Sequence, residues 1–359
     1  MLNYILIMIS PVAVEFLMIL FGKRIVIDDK VMRKAYAIII GAVILIALGF
    51  KSVNVGSGDV SYYVGNWNLM RTLSLDQLFK VINTIDIERG YLISVWALSH
   101  IFQLSQFLFI LYGALVSLAV ARFMYLNVRD MCMGFTMFFS LGWFAFMVQG
   151  LRQGIAISIC LFALERCKKR KPISFFLLVA LAMTFHASAF VFALVFIFAF
   201  LKKNVISISV YSVICIAIMY LVNWLVDIGN FVINDHYAVN KDLETGGGFI
   251  SLLIFVIVLA AYFFTTYFIP DDDREHTIFL CMTILGMIVF AMRFFVAGIM
   301  QRVTFYFVCG QYVLMSAVTE RLAFNQRVAL RYLVIALCLG IALYKASYSK
   351  IVPYSFIWN

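Results

Sequence analysis

The sequence reads as an all-α, polytopic integral membrane protein, and three observations lead there. Of its 359 residues 65% are hydrophobic and 13% charged, against about 45–50% and about 25% in soluble domains. Apolar runs close to 20 residues recur along the chain, each enough to cross a hydrocarbon layer of ~30 Å. Basic residues fall in short clusters between those runs, as in cytoplasmic loops. The runs are continuous rather than alternating, which excludes a β-barrel. The net charge of +10 shows no groove-reading basic face, so nucleic acid is excluded as a partner. Cys132, Cys160, Cys167, Cys215, Cys281, Cys309 and Cys338 form no CxxC pair and read as small packed residues.

In chain order, Leu2–Phe21 reads as a retained span without a signal-peptide charge pattern. Two basic clusters orient the chain: Lys23, Arg24, Lys30, Arg33 and Lys34, then Arg166, Lys168, Lys169, Arg170 and Lys171 before Pro172. With both in the cytoplasm, the N-terminus lies outside. Ala35–Phe50 leads outward to a first large loop, 51–90, whose middle, Val64–Val81, has the helical spacing of amphipathic helices lying in the interface. Tyr91–Leu126 is long for one span and suggests two short ones with a turn at Gln103–Gln106, or one crossing plus a half-helix. Met131–Val148 and Leu151–Glu165 follow, broken at Gln149–Gln153. Ile173–Leu201 suggests two half-length helices meeting at His186-Ala187-Ser188. Val205–Val226 leads to a second outer loop, 227–248, and Phe249–Ile269 returns to an acidic run at Asp271–Asp273. Ile278–Ala297 and Val303–Val318 form a hairpin, Arg321, Arg327 and Arg331 lie inside, and Tyr332–Tyr344 is the last span, leaving the C-terminus outside. The count is 10–13 spans, centred on 12, in one membrane domain covering 1–359.

Polar groups within or beside such spans are costly, about 2.5–3.5 kcal/mol for a mid-helix Arg, and so mark candidate functional positions. Asp59, Glu88, Arg89, Arg152, Gln153, His186 and Arg302 fall on the outer side, with Arg293 a turn or two deeper. Each also has a structural reading. Asp59 can cap a helix, Glu88 and Arg89 can be a solvated pair, His186 can be a buried hydrogen-bonding group, and Arg302 can snorkel. Arg152 is hardest to explain structurally, since an Arg at that depth usually holds a carboxylate or phosphate. No HxH or HExxH spacing, P-loop, nucleophile elbow or dinucleotide fingerprint is present, so no metal or cofactor is implied.

Five motifs stand in order: Gly58-Asp59-x-x-Tyr62-Tyr63, Glu88-Arg89-Gly90-Tyr91, Leu151-Arg152-Gln153-Gly154-Ile155-Ala156, Phe185-His186-Ala187-Ser188-Ala189 and Arg302-Val303-Thr304-Phe305-Tyr306-Phe307. Together they resemble the EpsG / Wzy-type polysaccharide polymerases of O-antigen, capsule and exopolysaccharide synthesis, with Pro353-Tyr354 fitting loosely. The resemblance implies a glycosyltransferase at the periplasmic face of the bacterial inner membrane, with an architecture akin to C-type glycosyltransferases. Its substrate would be an undecaprenyl-diphosphate-linked oligosaccharide, and its partners the bilayer, a chain-length regulator and a flippase. In those terms Asp59, Glu88 and His186, in that order, are candidates for the base that deprotonates the acceptor hydroxyl. Arg152 and Arg302 suit the diphosphate. Gln153, Arg89, Arg293 and Tyr306 complete the binding set, with Tyr62, Tyr63 and Trp67 offering ring faces to sugars. The alternatives are a transporter or flippase of the same lipid-linked glycan, or another membrane transferase such as an O-acetyltransferase or ligase. No paired repeat halves of the transporter kind stand out.

Overall fold

The computed structural model describes residues 1–22, 30–55, 59–85, 87–201, 207, 209–214, 217, 248–268, 274–293, 299–347 and 351–358. The expected span at 205–226 lies largely, and the loop at 227–248 almost wholly, outside these residues. Lys23, Arg24, Gly58, Asp86 and the acidic run 271–273 also lie outside them. Backbone groups in lipid must find partners within their own segment, which selects helix for long apolar runs. The regular elements among the described residues are accordingly helices, apart from one isolated antiparallel bridge between Lys51 and Phe356. By contacts the chain divides into two compact units. The first is Met1–Arg166, Ile173–Phe190 and Phe324–Asn359; the second is Cys167–Pro172 and Val191–Ala323.

In the first unit, α1 (Leu2–Gly22) and α2 (Lys30–Gly49) follow the first two apolar runs. The amphipathic middle of the first loop forms α3 (Asp59–Thr72) and α4 (Leu75–Ile82). They are separated by Leu73 and Ser74, and the Ser74 hydroxyl accepts from Gln77 N at 3.4 Å while Gln77 Oε1 accepts from Ser74 N at 2.8 Å, a reciprocal capping box. Next come α5 (Arg89–Ile101) and α6 (Gln106–Asn127), parted near the expected turn. At ~1.5 Å per residue α5 reaches only about 20 Å, too short to cross, whereas α6 is long enough. This stretch is therefore one crossing plus a shorter helix. α6 packs along α2, with Ser117 Oγ donating to the Gly41 carbonyl at 2.6 Å.

The expected single span at Met131–Val148 is bent by 53° into α7 (Met131–Ser140) and α8 (Trp143–Gln149). The cause is Gly142, at φ 105°, a backbone state open to glycine and strained for other residues. α9 (Leu151–Lys168) carries four charged residues within its 18, Arg152, Glu165, Arg166 and Lys168. α10 (Pro172–Met183) precedes a 3₁₀ helix at Ala187–Leu194 and α11 (Val195–Phe198), so Ile173–Leu201 is broken where expected.

In the second unit, α12 (Gly248–Phe268) and α13 (Arg274–Met292) follow apolar runs. The expected continuous span at Val303–Val318 is instead a short α14 (Ile299–Thr304), a tight turn, and α15 (Cys309–Glu320), buried from Cys309 to Thr319. Bonds from Tyr306 N to Val303 O (3.2 Å) and from Phe307 N to Thr304 O (2.9 Å) wind the turn more tightly than an α-helix.

The last helix of the first unit, α16 (Phe324–Ala346), begins well before the expected Tyr332. It takes in Arg327 and Arg331, and Arg331 is buried rather than solvated, because Glu15 of α1 and Asp130 at the start of α7 accept from it. The chain then folds back along the end of α2: Ser52 N donates to Ser355 O at 2.9 Å and Ile357 N to Phe50 O at 3.0 Å. Among the described residues six helices are long and apolar enough to cross a membrane, or seven with the bent pair counted as one span. The chain is thus a multi-pass, all-α membrane protein, and the count of 12 is not reached among the described residues.

Candidate functional site

A positive side chain in the first turn of a helix opposes the helix dipole, so Arg152 at the start of α9 calls for a carboxylate. Glu88 supplies it. Glu88 occupies the N-cap position of α5 but makes no side-chain cap bond there. Both of its oxygens serve other groups instead. Arg152 Nη1 donates to Oε2 in a short charge-assisted bond. His186 Nδ1 lies 2.7 Å from Oε1, and the Ala187 N–H donates to the same oxygen at 3.1 Å.

The state of Glu88 fixes that of the histidine. Burial raises the carboxyl, but the bond from His186 and the charge of Arg152 outweigh it and pull the pKa down to about 2. An ionised carboxylate only accepts, so Nδ1 carries the proton it shares with Glu88. In the neutral ring Nε2 then holds a lone pair. Side-chain exposures of 17% for Glu88, 24% for His186 and 25% for Arg152 leave the cluster sheltered but reachable.

Two glycines bring these elements together. Gly90 N donates to Thr184 O at 2.9 Å. A Cβ at Gly90 would lie 2.4 Å from Thr184 Oγ1 and 2.7 Å from its carbonyl oxygen. Only glycine lets the start of α5 sit against the end of α10, where His186 follows. On α9, a Cβ at Gly154 would lie 2.2 Å from Tyr112 Oη, the hydroxyl that donates to Met147 O at 2.7 Å. That close approach seats the first turn of α9, and Arg152 with it, against α6 and α8. The glycines of two sequence motifs are therefore the packing contacts that assemble the cluster.

Aromatic residues line its inner side. Tyr91 is fully buried, its ring 6.0 Å from the Arg152 guanidinium carbon and 6.0 Å from the Tyr63 ring. Tyr63 in turn meets Tyr62 edge-on at 6.0 Å. Of the three rings expected to face sugars, Tyr63 and Trp67 are buried packing groups, and Tyr62 alone is exposed, at 47%.

The remaining expected residues are placed as follows. Asp59 is exposed in the first turn of α3, its charge acting on Lys51 and Tyr63. Arg89 is exposed at the start of α5, and Gln153 is buried beside Arg152 in sequence. Arg293, Arg302 and Tyr306 belong to the second unit. There Arg293 is half-buried, 5.8 Å from the Phe290 ring, Arg302 is exposed on α14, and Tyr306 is buried.

Sequence reasoning passed over Lys51. A lysine closing an apolar run reads as solvated, yet Lys51 is 1% exposed, donates to the Val148 carbonyl in the last turn of α8, and lies 5.2 Å from the Phe109 ring. Burial lowers its pKa to about 7, with Asp59 acting in the opposite sense. It also passed over Asn66, which lies next to the Trp67 that it did single out.

A family model described as the EpsG family matches residues 34–356. No curated protein and no solved structure matched the chain. The match spans nearly the whole sequence, and the chain belongs to the EpsG family, membrane proteins of the polysaccharide-polymerase type.

Proposed function

We propose, from the premise of that family membership, that this protein joins oligosaccharide repeat units carried on undecaprenyl diphosphate. The product would be O-antigen, capsule or exopolysaccharide, made at the periplasmic face of the bacterial inner membrane. One observation carries the reading: Glu88 is shared between Arg152 and His186. Glycosyl transfer from a lipid diphosphate has two needs, removal of a proton from the acceptor hydroxyl and compensation of charge on the departing diphosphate. His186, with Nδ1–H held by Glu88, offers Nε2 to the acceptor proton. The bond from the anomeric carbon to the phosphate oxygen breaks, the electron pair leaves with the lipid diphosphate, and the acceptor oxygen bonds the anomeric carbon. Glu88 orients the ring and stabilises the imidazolium that forms, as the acid does in a Ser-His-Asp triad. Arg152 presents positive charge to phosphate oxygens.

This reading moves the role of base from Asp59, the sequence's first candidate, to His186. The surface glycan of a deletion strain complemented with each variant tests it. His186→Ala and Glu88→Gln are each expected to lower polymerisation by ~10²–10⁴-fold, the usual worth of a positioned base. The ladder then collapses to single capped units at normal membrane levels, while Asp59→Asn keeps it within a few-fold of wild type. A normal ladder from both His186→Ala and Glu88→Gln overturns the assignment. Complete loss of glycan in the deletion strain points to transport instead.

A further inference from the structure

More than nine in ten buried polar groups in folded proteins have a partner, so buried ones without a partner ask for an explanation. Three side-chain atoms around the cluster are buried and have none: Tyr91 Oη on α5, Asn66 Nδ2 on α3 and Arg152 Nε on α9. Trp67 Nε1, one residue beyond Asn66, is in the same state. The Asn66 amide reaches the Tyr91 hydroxyl only in a contact that falls short of a full hydrogen bond, and the Arg152 guanidinium carbon lies 6.0 Å from the Tyr91 ring. They come from three separate helices, and Tyr91 is 0% exposed.

We propose that Tyr91, Asn66 and Arg152 form the seat for a diphosphate oxygen of the lipid-linked substrate, an inference that rests on the polymerase reading above. The donor set selects the ligand. Asn66 Nδ2 and Arg152 Nε can only donate, and one of the two belongs to a permanent cation. Their complement is an oxygen that only accepts and carries negative charge. A sugar hydroxyl brings a proton of its own and has no need of a guanidinium. Arg152 can serve both roles at once, because Nη1 is committed to Glu88 while Nε lies on the side-on edge that grips phosphate oxygens. The seat thus lies beside the Glu88–His186 pair, where a leaving diphosphate would have to be held while the acceptor loses its proton.

The test uses the full-length protein in detergent and titrates farnesyl diphosphate, with farnesol as the chain-only control. Tyr91→Phe removes a single oxygen that makes no full hydrogen bond in the protein, and Asn66→Ala is the second variant. Each is expected to weaken farnesyl diphosphate binding roughly ten- to hundredfold, as for a bond to a charged group, and to leave farnesol binding unchanged. Because only the weak contact with the Asn66 amide is lost, Tyr91→Phe should melt close to the wild-type temperature. If it melts lower and binds farnesyl diphosphate as well as wild type, the orphaned atoms held a structural water and the proposal fails. If free oligosaccharide displaces farnesyl diphosphate, the seat is for sugar and the proposal also fails. A wild type that builds the glycan ladder yet does not bind farnesyl diphosphate overturns this inference alone. A His186→Ala variant that binds the diphosphate normally and builds a normal ladder overturns the base assignment and leaves the seat intact.

Discussion

Two charge clusters in the first unit are near mirror images. In one, a single acid, Glu88, lies between Arg152 and His186; in the other, a single base, Arg331, lies between Glu15 and Asp130. The Arg331 side chain is 7% exposed, its Nε donates to Asp130 at 2.7 Å, and its Nη2 donates to Glu15. Asp130 also caps α7 by accepting from Met133 N at 3.1 Å. α1, α7 and α16, which pack on one another, are thereby tied at one point. No side-chain atom of Arg331, Glu15 or Asp130 is among the buried atoms without partners, whereas Arg152 and its neighbours Tyr91 and Asn66 are. The chemistry of the two clusters is the same. What separates a fastening from a site is spare hydrogen-bonding capacity combined with access.

That contrast breaks most sharply at the two arginines. Arg331→Met leaves Glu15 and Asp130 facing each other with no cation, a loss expected to cost about 3–5 kcal/mol. It should appear as a lower melting temperature in detergent and poor membrane accumulation. Adding Glu15→Gln and Asp130→Asn should restore much of that stability. Arg152→Met should lose the glycan ladder while costing no more than ~1 kcal/mol, its pair being part-exposed. Equal destabilisation by the two substitutions would erase the distinction.

Gly90→Ala tests the packing beneath the site. It should destabilise by ~1–3 kcal/mol through overpacking and shorten the ladder, and Thr184→Ala should not rescue it, since the Thr184 carbonyl stays 2.7 Å from the new methyl. Gly340→Ala is the control. Nothing lies within 4 Å of a Cβ there, and in mid-helix the change should stabilise by about 0.5–1 kcal/mol.

The last predictions concern pH. Glu88 is held below its ordinary value of 4.5, at about 2. Its stabilising contribution is therefore present above 4.5 and is lost only as pH falls toward 2. Polymerisation should show no step from Glu88 near neutrality. Lys51 behaves in the opposite way. Between about 7 and its ordinary 10.5 the unfolded chain binds the proton that the folded chain releases, so stability should rise with pH across that window. Lys51→Met should flatten that slope in thermal melts.

The spans that were legible in the sequence are those where composition alone decides. About 20 apolar residues in a row give α1, α2, α12 and α13 with little ambiguity, because lipid leaves an unbroken helix as the available solution. Where a break depends on one backbone state or one tight turn, as at Gly142 or between α14 and α15, hydropathy is silent. The burial of Arg331 was not legible, because the carboxylates that permit it are 316 and 201 residues away. Glu88, Arg152 and His186 were each suspect as charges in costly places. That one carboxylate serves the other two, across 64 and 98 residues, is not written in any of the three motifs.

By itself, then, the sequence determined the solvent this chain lives in, its helical class, and the short roster of polar residues whose presence among apolar spans needs a reason. These follow from composition and local spacing, which act over a few residues. The tertiary structure decided how the roster divides. It sent Asp59 to an exposed helix start and buried Lys51 against a carbonyl. It locked Arg331 between two acids and closed His186 and Arg152 on Glu88 through contacts that only Gly90 and Gly154 allow. Those outcomes depend on which helices pack together and on how closely, a spacing set by side chains far apart in the chain.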